Sequence, residues 1–240
     1  MPYLERDGLK LHYEEFGSGY PLVLFAPGGM RSSIDFWQES PGTSRPWIDP
    51  TSDLAAEFRV VAMDQRNAGE STAAISSDDS WSTYTADHLA LIDDLGIERT
   101  HILGGCIGSS YCLGLIEAAP ERVSAAVLQN PIGLSEDNRP SFIGMFDDWA
   151  KALDGADRAA LEAFRDNMFG GDFVFSVDRD FVRRCPAPLL VLSGHDQFHP
   201  PAVAEEIAAL APDAELVKDW SNKPETLERV RAFLRQHTPT

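Results

Sequence analysis

Gly104-Gly105-Cys106-Ile107-Gly108 is the segment of this chain best suited to covalent chemistry. It follows a short apolar run, His101 to Leu103, and leads into a helical pattern through Ser109 to Ala118. A nucleophile raised on a sharp strand-to-helix turn needs small residues on both sides, because the turn is strained and crowded. Placed there, Cys106 stands at a helix N-terminus, where backbone N–H groups and the helix dipole favour thiolate over thiol. The N–H of Ile107 then points at the oxyanion that attack on a carbonyl creates. With 18 Gly and 3 Cys in 240 residues, chance supplies a G-x-C-x-G in roughly one or two such chains in a hundred, so the spacing is informative. One alternative is a small core cysteine beside a glycine turn. A dinucleotide-binding fingerprint is a poorer fit, since it belongs to the first βαβ unit and has a different spacing. Cys112, six residues along the same helix, and Cys185, before Pro186, read as inert.

Such a turn needs a sheet beneath it, and the chain supplies one. Tyr3 to Arg6 and Leu9 to Phe16 flank Asp7-Gly8, a two-residue hairpin signal. Continuous apolar runs then recur at Leu22 to Ala26, Val60 to Met63, His101 to Leu103, Ala125 to Leu128 and Leu189 to Leu192. Strands buried on both faces of a parallel sheet read this way. Helical stripes lie between and after them. One runs from Thr83 to Leu95 with Gly96 as its stop, one opens at Pro201, and one opens at Pro224. The alternation predicts an α/β fold around a mostly parallel sheet with helices on both faces. Two segments interrupt it: Met30 to Asp53, and a helical insertion from Ile132 to Arg184. Long insertions inside a compact domain tend to form lids or binding walls. The expected organisation is therefore a core of residues 1–131 and 185–240, with a short helical cap at 132–184.

Composition narrows the function. With 20 Lys and Arg against 38 Asp and Glu, the formal charge is −18. That surface repels polyanions, which excludes general nucleic-acid or anionic-membrane binding. Three cysteines in a chain of this size do not make a disulfide scaffold. The N-terminal residues hold no apolar run of signal-peptide length, and no stretch approaches membrane-spanning length. The expectation is a cytoplasmic protein with reduced thiols. No metal-ligand spacing occurs and no cofactor is called for, so the partner to expect is a small-molecule substrate.

Together with the Cys106 turn, three further motifs resemble the α/β-hydrolase fold superfamily, and the match runs from about Tyr3 to Leu234. Ala26-Pro27-Gly28-Gly29-Met30 resembles the loop that supplies the second oxyanion donor, here Gly29. Asp64-Gln65-Arg66-Asn67-Ala68-Gly69-Glu70-Ser71 resembles the D-x-R-G-x-G-x-S turn, with Asn67 at a glycine position; Asn tolerates positive φ better than most residues. Gly194-His195-Asp196-Gln197-Phe198-His199-Pro200 resembles the loop after the seventh strand that carries the triad acid, which makes Asp196 the candidate. The resemblance implies Cys106 where serine is usual, as in the dienelactone-hydrolase branch and some thioesterases. It also implies a histidine after the last strand. Yet Ala214 to Asp219 leads through Trp220-Ser221-Asn222-Lys223 to Pro224 without one.

Only six histidines are available to replace it. His12 lies on the opening hairpin, His101 at the far end of its strand, and His237 near the C-terminus. His88 falls within a helix and reads as a packing residue, since catalytic residues favour loops. His195 and His199 share the loop at the catalytic edge. His199 directly precedes Pro200, and family members place an acyl-pocket residue there. A relocated Cys106–His199 pair with Asp196 orienting the imidazole is the leading expectation; a His199 that only caps the following helix is the other.

The activity expected is hydrolysis of a small-to-medium ester, thioester or lactone through a Cys106 acyl-enzyme. Gly29 and Ile107 would hold the oxyanion, and Met30, Trp37, Trp47, Phe142 and Trp149 would enclose the substrate. An acyltransferase or cyclase using the same acyl-enzyme differs only in how dry the site is. A non-catalytic ligand binder that lost its histidine is the reading from another class.

Overall fold

A computed structural model describes residues 2–38, 48–135, 137–153, 155–221 and 223–239. Asp7 and Gly8, both at positive φ (47° and 83°), turn strand β1 (Tyr3–Arg6) back onto β2 (Leu9–Phe16). The apolar runs become β3 (Tyr20–Phe25), β4 (Phe58–Met63), β5 (Thr100–Gly105), β6 (Val123–Gln129) and β7 (Leu189–Leu192), and β8 (Ala214–Val217) follows. Strand order is β1-β2-β4-β3-β5-β6-β7-β8. The two N-terminal strands pair antiparallel and all others parallel. β5 and β6 are buried along their whole length, as central strands covered on both faces must be.

Side chains alternate along each strand, so the sheet divides the core into two layers. Val23, Phe25, Val61, Met63 and Ile102 belong to one layer, Leu22, Leu24, Val60, Ala62 and Leu103 to the other. Among the described residues the helices are α1 (Asp35–Gln38), α2 (Pro50–Asp53), α3 (Trp81–Asp94), α4 (Ile107–Ala118), α5 (Arg139–Ala150), α6 (Arg158–Phe169), α7 (Arg179–Val182), α8 (Pro201–Leu210) and α9 (Pro224–Gln236). The first layer takes in residues of α3, α4 and α8, while the second takes in α9. The segment between β6 and β7 contributes α5, α6 and α7. It is welded by aromatic contacts, among them Phe146–Phe164 at 5.3 Å and Phe142–Phe175 at 4.8 Å.

The turn after β4 braces the catalytic edge. Asp64 accepts the N–H groups of Ile34 and Glu70, each at 2.8 Å, and meets His12 Nδ1 at 2.9 Å. Arg66 is held at both ends, by Asp87 (2.8 and 3.0 Å) and by Asp79 (2.9 Å). Asn67 takes φ 57°, the conformation for which glycine is usual.

Candidate active site

Cys106 sits between β5 and α4 at φ 56° and ψ −119°. A non-glycine residue held there stores on the order of 1–3 kcal/mol of strain, which the surroundings must impose. The sheet imposes it. Cys106 N–H donates to Gln129 O at the end of β6 (2.9 Å), and Ser109 N–H closes the turn on Cys106 O (3.0 Å). A Cβ on Gly104 would strike the Gly108 carbonyl, and one on Gly108 would strike the Phe25 carbonyl of β3. Both glycines are therefore required by close backbone approach, and together they leave the Cys106 side chain raised at the strand's C-terminal end.

The loop after β7 brings His199 to that sulfur. Gly194 allows this, since a Cβ there would collide with the His199 side chain. Asp196 builds the loop from within: its carboxylate accepts the N–H groups of Phe198 (2.8 Å) and His199 (3.1 Å). Both of its oxygens also lie 2.8 Å from His199 Nδ1. With Nδ1 committed to Asp196, Nε2 is the ring nitrogen left over, buried and without a geometric hydrogen-bond partner among the described residues, while the His199 ring and the Cys106 thiol act on each other's charge.

The charges follow from these contacts. Burial opposes ionisation of the Cys106 thiol, but the His199 charge and hydrogen bond, with N–H groups of Ile107 and Gly28, outweigh it and lower its pKa. Burial likewise disfavours the His199 cation, yet the facing Cys106 sulfur and the Asp196 hydrogen bond raise it to about 10. The His199 hydrogen bond, against partial burial, holds Asp196 down at about 2. The arrangement favours a thiolate facing an imidazolium, itself anchored on a carboxylate.

Of the two expected oxyanion donors, Ile107 directs its N–H at the sulfur. On the opposite loop the backbone that meets the sulfur is that of Gly28, one residue before the expected Gly29. Gly29 begins a 3-10 turn (Gly29–Arg31) and is roofed by Met145 of α5, whose sulfur also accepts the Met30 N–H at 3.5 Å. Met30, Phe142 and Trp149 are buried in the layer that holds the inserted segment. Trp37 is not with them: it packs in the opposite layer, with its ring beneath Gly105. Trp47 lies outside the described residues. Phe142 touches Phe198 at 5.3 Å, while the Trp149 indole donates to Asn67 O at 3.2 Å, so both brace loops of the site.

The remaining histidines have other partners. His12 meets Asp64, His101 lies between Ser124 and Thr238, and His195 Nε2 meets Lys218 O at 2.9 Å. His88 is buried, bonded to Gln65 Oε1 at 2.7 Å. After β8 the chain carries Trp220, whose indole donates to Ser193 O (2.8 Å) and closes that end of the sheet. Asn138 was not singled out by sequence. It ties the base loop to the insertion, donating to Gln197 O and Gly133 O, each at 2.9 Å. Its place before a helical pattern is a capping signal, which is the only trace it leaves.

The sheet, the strand-to-helix turn at Cys106 and the loop after β7 define an α/β-hydrolase architecture. The family model for the alpha/beta hydrolase fold matches residues 21–187, and the chain belongs to that family. A putative carbamate hydrolase of Azorhizobium caulinodans is 28% identical over 235 residues, covering 98% of this chain and 72% of that protein. A meta-cleavage product hydrolase from Pseudomonas fluorescens superposes with a TM-score of 0.68 at 20% identity, covering 98% of this chain and 95% of that one. An enol-lactonase from Burkholderia xenovorans does so with 0.65 at 22%, covering 98% and 97%.

Proposed function

We propose that the protein hydrolyses a small-to-medium ester, thioester or lactone through an acyl-enzyme on Cys106. The observation that carries this reading is the His199 ring, with Nδ1 held 2.8 Å from Asp196, Nε2 buried and left free, and its charge acting on the Cys106 thiol. A core cysteine needs no such partner. The relatives support the reaction type, since their names describe a putative carbamate hydrolase, an enol-lactonase and a meta-cleavage product hydrolase.

In the first half-reaction the thiolate attacks the carbonyl carbon, forming a C–S bond and moving the carbonyl electron pair onto oxygen. The Gly29 and Ile107 N–H groups receive that oxyanion, while those of Ile107 and Gly28 bond the sulfur before attack. The imidazolium gives its Nε2 proton to the departing alkoxide or thiolate as the C–O or C–S bond of the substrate breaks. In the second half, neutral Nε2 takes a proton from water, and the hydroxide opens the thioester. The carboxylic acid leaves, and the thiolate–imidazolium pair is restored.

Intact mass after mixing with activated esters tests the reading. An acyl adduct on the wild type that is absent from Cys106→Ala is the expected result. No adduct and no turnover across a panel of esters, thioesters and lactones, with Cys106 inert to iodoacetamide at neutral pH, contradicts it and favours the ligand-binder reading.

A further inference from the structure

Helix α5 carries a residue that touches the oxyanion loop and that the acyl-transfer scheme leaves unused. Phe142, Met145 and Trp149 recur at the spacing of one helical face, so their side chains leave α5 on the same side. Phe142 packs on Phe198 of the loop after β7 at 5.3 Å, and the Trp149 indole donates to Asn67 O at 3.2 Å. Between them, Met145 reaches the loop after β3. Its sulfur accepts the Met30 N–H at 3.5 Å, and a Cβ added to Gly29 would strike that same sulfur. The heavy atoms nearest to such a Cβ are all in the Met145 side chain. Arg31, at the end of the same turn, donates to Asp148 O at 2.9 Å and fastens loop to helix a second time.

The loop needs an outside hold. Gly28 and Gly29 take φ 116° and 59°, and two successive glycines pass between neighbouring conformations at little cost. The turn itself fixes the carbonyl side of its peptide units: Gly28 O accepts the Arg31 N–H and Gly29 O the Ser32 N–H, each at 3.1 Å. Three consecutive N–H groups remain. That of Gly28 bonds the Cys106 sulfur, and that of Met30 bonds the Met145 sulfur. The N–H of Gly29, between them, is the one the proposed mechanism gives to the oxyanion. Its direction follows from the units on either side, one held by Cys106 and the other by Met145. Methionine suits this place, since an unbranched thioether enters a narrow gap and still accepts a weak hydrogen bond.

We propose that Met145 is a positioning residue for acyl transfer: seated on Gly29 and bonded to the Met30 N–H, its thioether keeps the Gly29 N–H aimed at the developing oxyanion. It acts through the loop backbone and takes no part in bond making. Oxyanion donors accelerate a reaction only when they already point at the charge that forms, and removing one costs about 10²–10³ in kcat. A donor that is loosened but still present forfeits part of that, about tenfold.

This role rests on the acyl-enzyme reading, and two measurements keep them apart. Hydrolysis of p-nitrophenyl acetate, butyrate and hexanoate gives kcat and KM. Brief exposure to iodoacetamide gives the rate of Cys106 alkylation. Both half-reactions of hydrolysis pass through an oxyanion, so whichever limits kcat reads the loop. Alkylation displaces iodide from a saturated carbon, creates no oxyanion and reports the thiolate alone. Met145→Leu keeps the bulk of the side chain and removes the acceptor. It lowers kcat by about tenfold, while KM and the alkylation rate stay within about twofold of wild type. Met145→Ala, which also empties the space against Gly29, shows the same split with a larger fall in kcat. An unchanged kcat in Met145→Leu overturns the proposal even where Met145→Ala is slow, because bulk then matters and the acceptor does not. A rise in KM without a fall in kcat overturns it too, by placing Met145 in the substrate pocket. So does a fall in alkylation that matches the fall in kcat, since the damage then lies at the thiolate. Neither turnover nor an acyl adduct from wild type with any of these esters overturns the acyl-enzyme and the positioning role together.

Discussion

The Cys106 turn and the His199 loop meet at one sulfur but are held in opposite ways. Cys106 is gripped by backbone: Gly108 against Phe25, Gly104 against Gly108, and its own N–H on Gln129. Its geometry is a property of the central sheet. The loop from Gly194 to Pro200 leaves the sheet after β7 and is shaped by a side chain of its own, Asp196. Asn138 and Phe142 of the inserted segment hold it from outside. Asp196 and His199 are three residues apart on one loop, so orienting the imidazole needs no long-range register. Under the proposed mechanism, that local economy lets His199 serve as base while the end of β8 carries Trp220.

Substitutions can break the comparison in order of size. Cys106→Ala lowers ester turnover by about 10⁴-fold or more, since the covalent route is lost, and initial rates measure it. His199→Ala lowers kcat by about a hundredfold or more, the scale of acid–base assistance. If His199→Ala leaves the rate unchanged while His195→Ala or His88→Ala abolishes it, the base is elsewhere. Gly108→Ala forces a Cβ into the Phe25 carbonyl and destabilises the fold by about 2–3 kcal/mol in denaturant titration. Gly194→Ala collides with the Cβ and backbone carbonyl of His199, within its own loop. It lowers kcat by about tenfold with little change in stability, in keeping with the loss of a positioned proton donor. Asn138→Ala is the mildest, lowering kcat a few-fold (about 1 kcal/mol for a lost hydrogen bond). Were Gly194→Ala to unfold the protein as Gly108→Ala does, the loop would be part of the core and the contrast would fail.

Legibility in the sequence follows the same division. Elements that bury both faces of a strand or one stripe of a helix announce themselves by period, so β3 to β7, α3, α4, α8 and α9 lie where the apolar runs and their Gly and Pro stops predict. The nucleophile turn is equally local, because its glycines are demanded within five consecutive residues. His199 emerges by elimination among six histidines, a route open only because they are few. Three features escape this logic. Which N–H of a Gly-Gly pair turns toward the sulfur depends on two permissive backbones, with φ 116° at Gly28 and 59° at Gly29. The layer that takes Trp37 is decided by tertiary packing, which no short period encodes. The hold of Met145 on Gly29 joins a helix to a distant loop and looks, in each alone, like ordinary packing.

The pairing of Cys106 with His199 is tested most directly by the pH dependence of Cys106 alkylation, read by mass after brief exposure to iodoacetamide. With the thiol lowered and His199 raised to about 10, the thiolate is present throughout the window below that value and above the depressed thiol pKa. The wild-type rate then reaches its plateau at a lower pH than that of an ordinary cysteine, which with a pKa of about 8.5 gains close to tenfold per unit until it ionises. His199→Ala removes the cation and restores that steep rise. A wild-type rate that climbs tenfold per unit, superimposable on that of His199→Ala, would contradict the pairing.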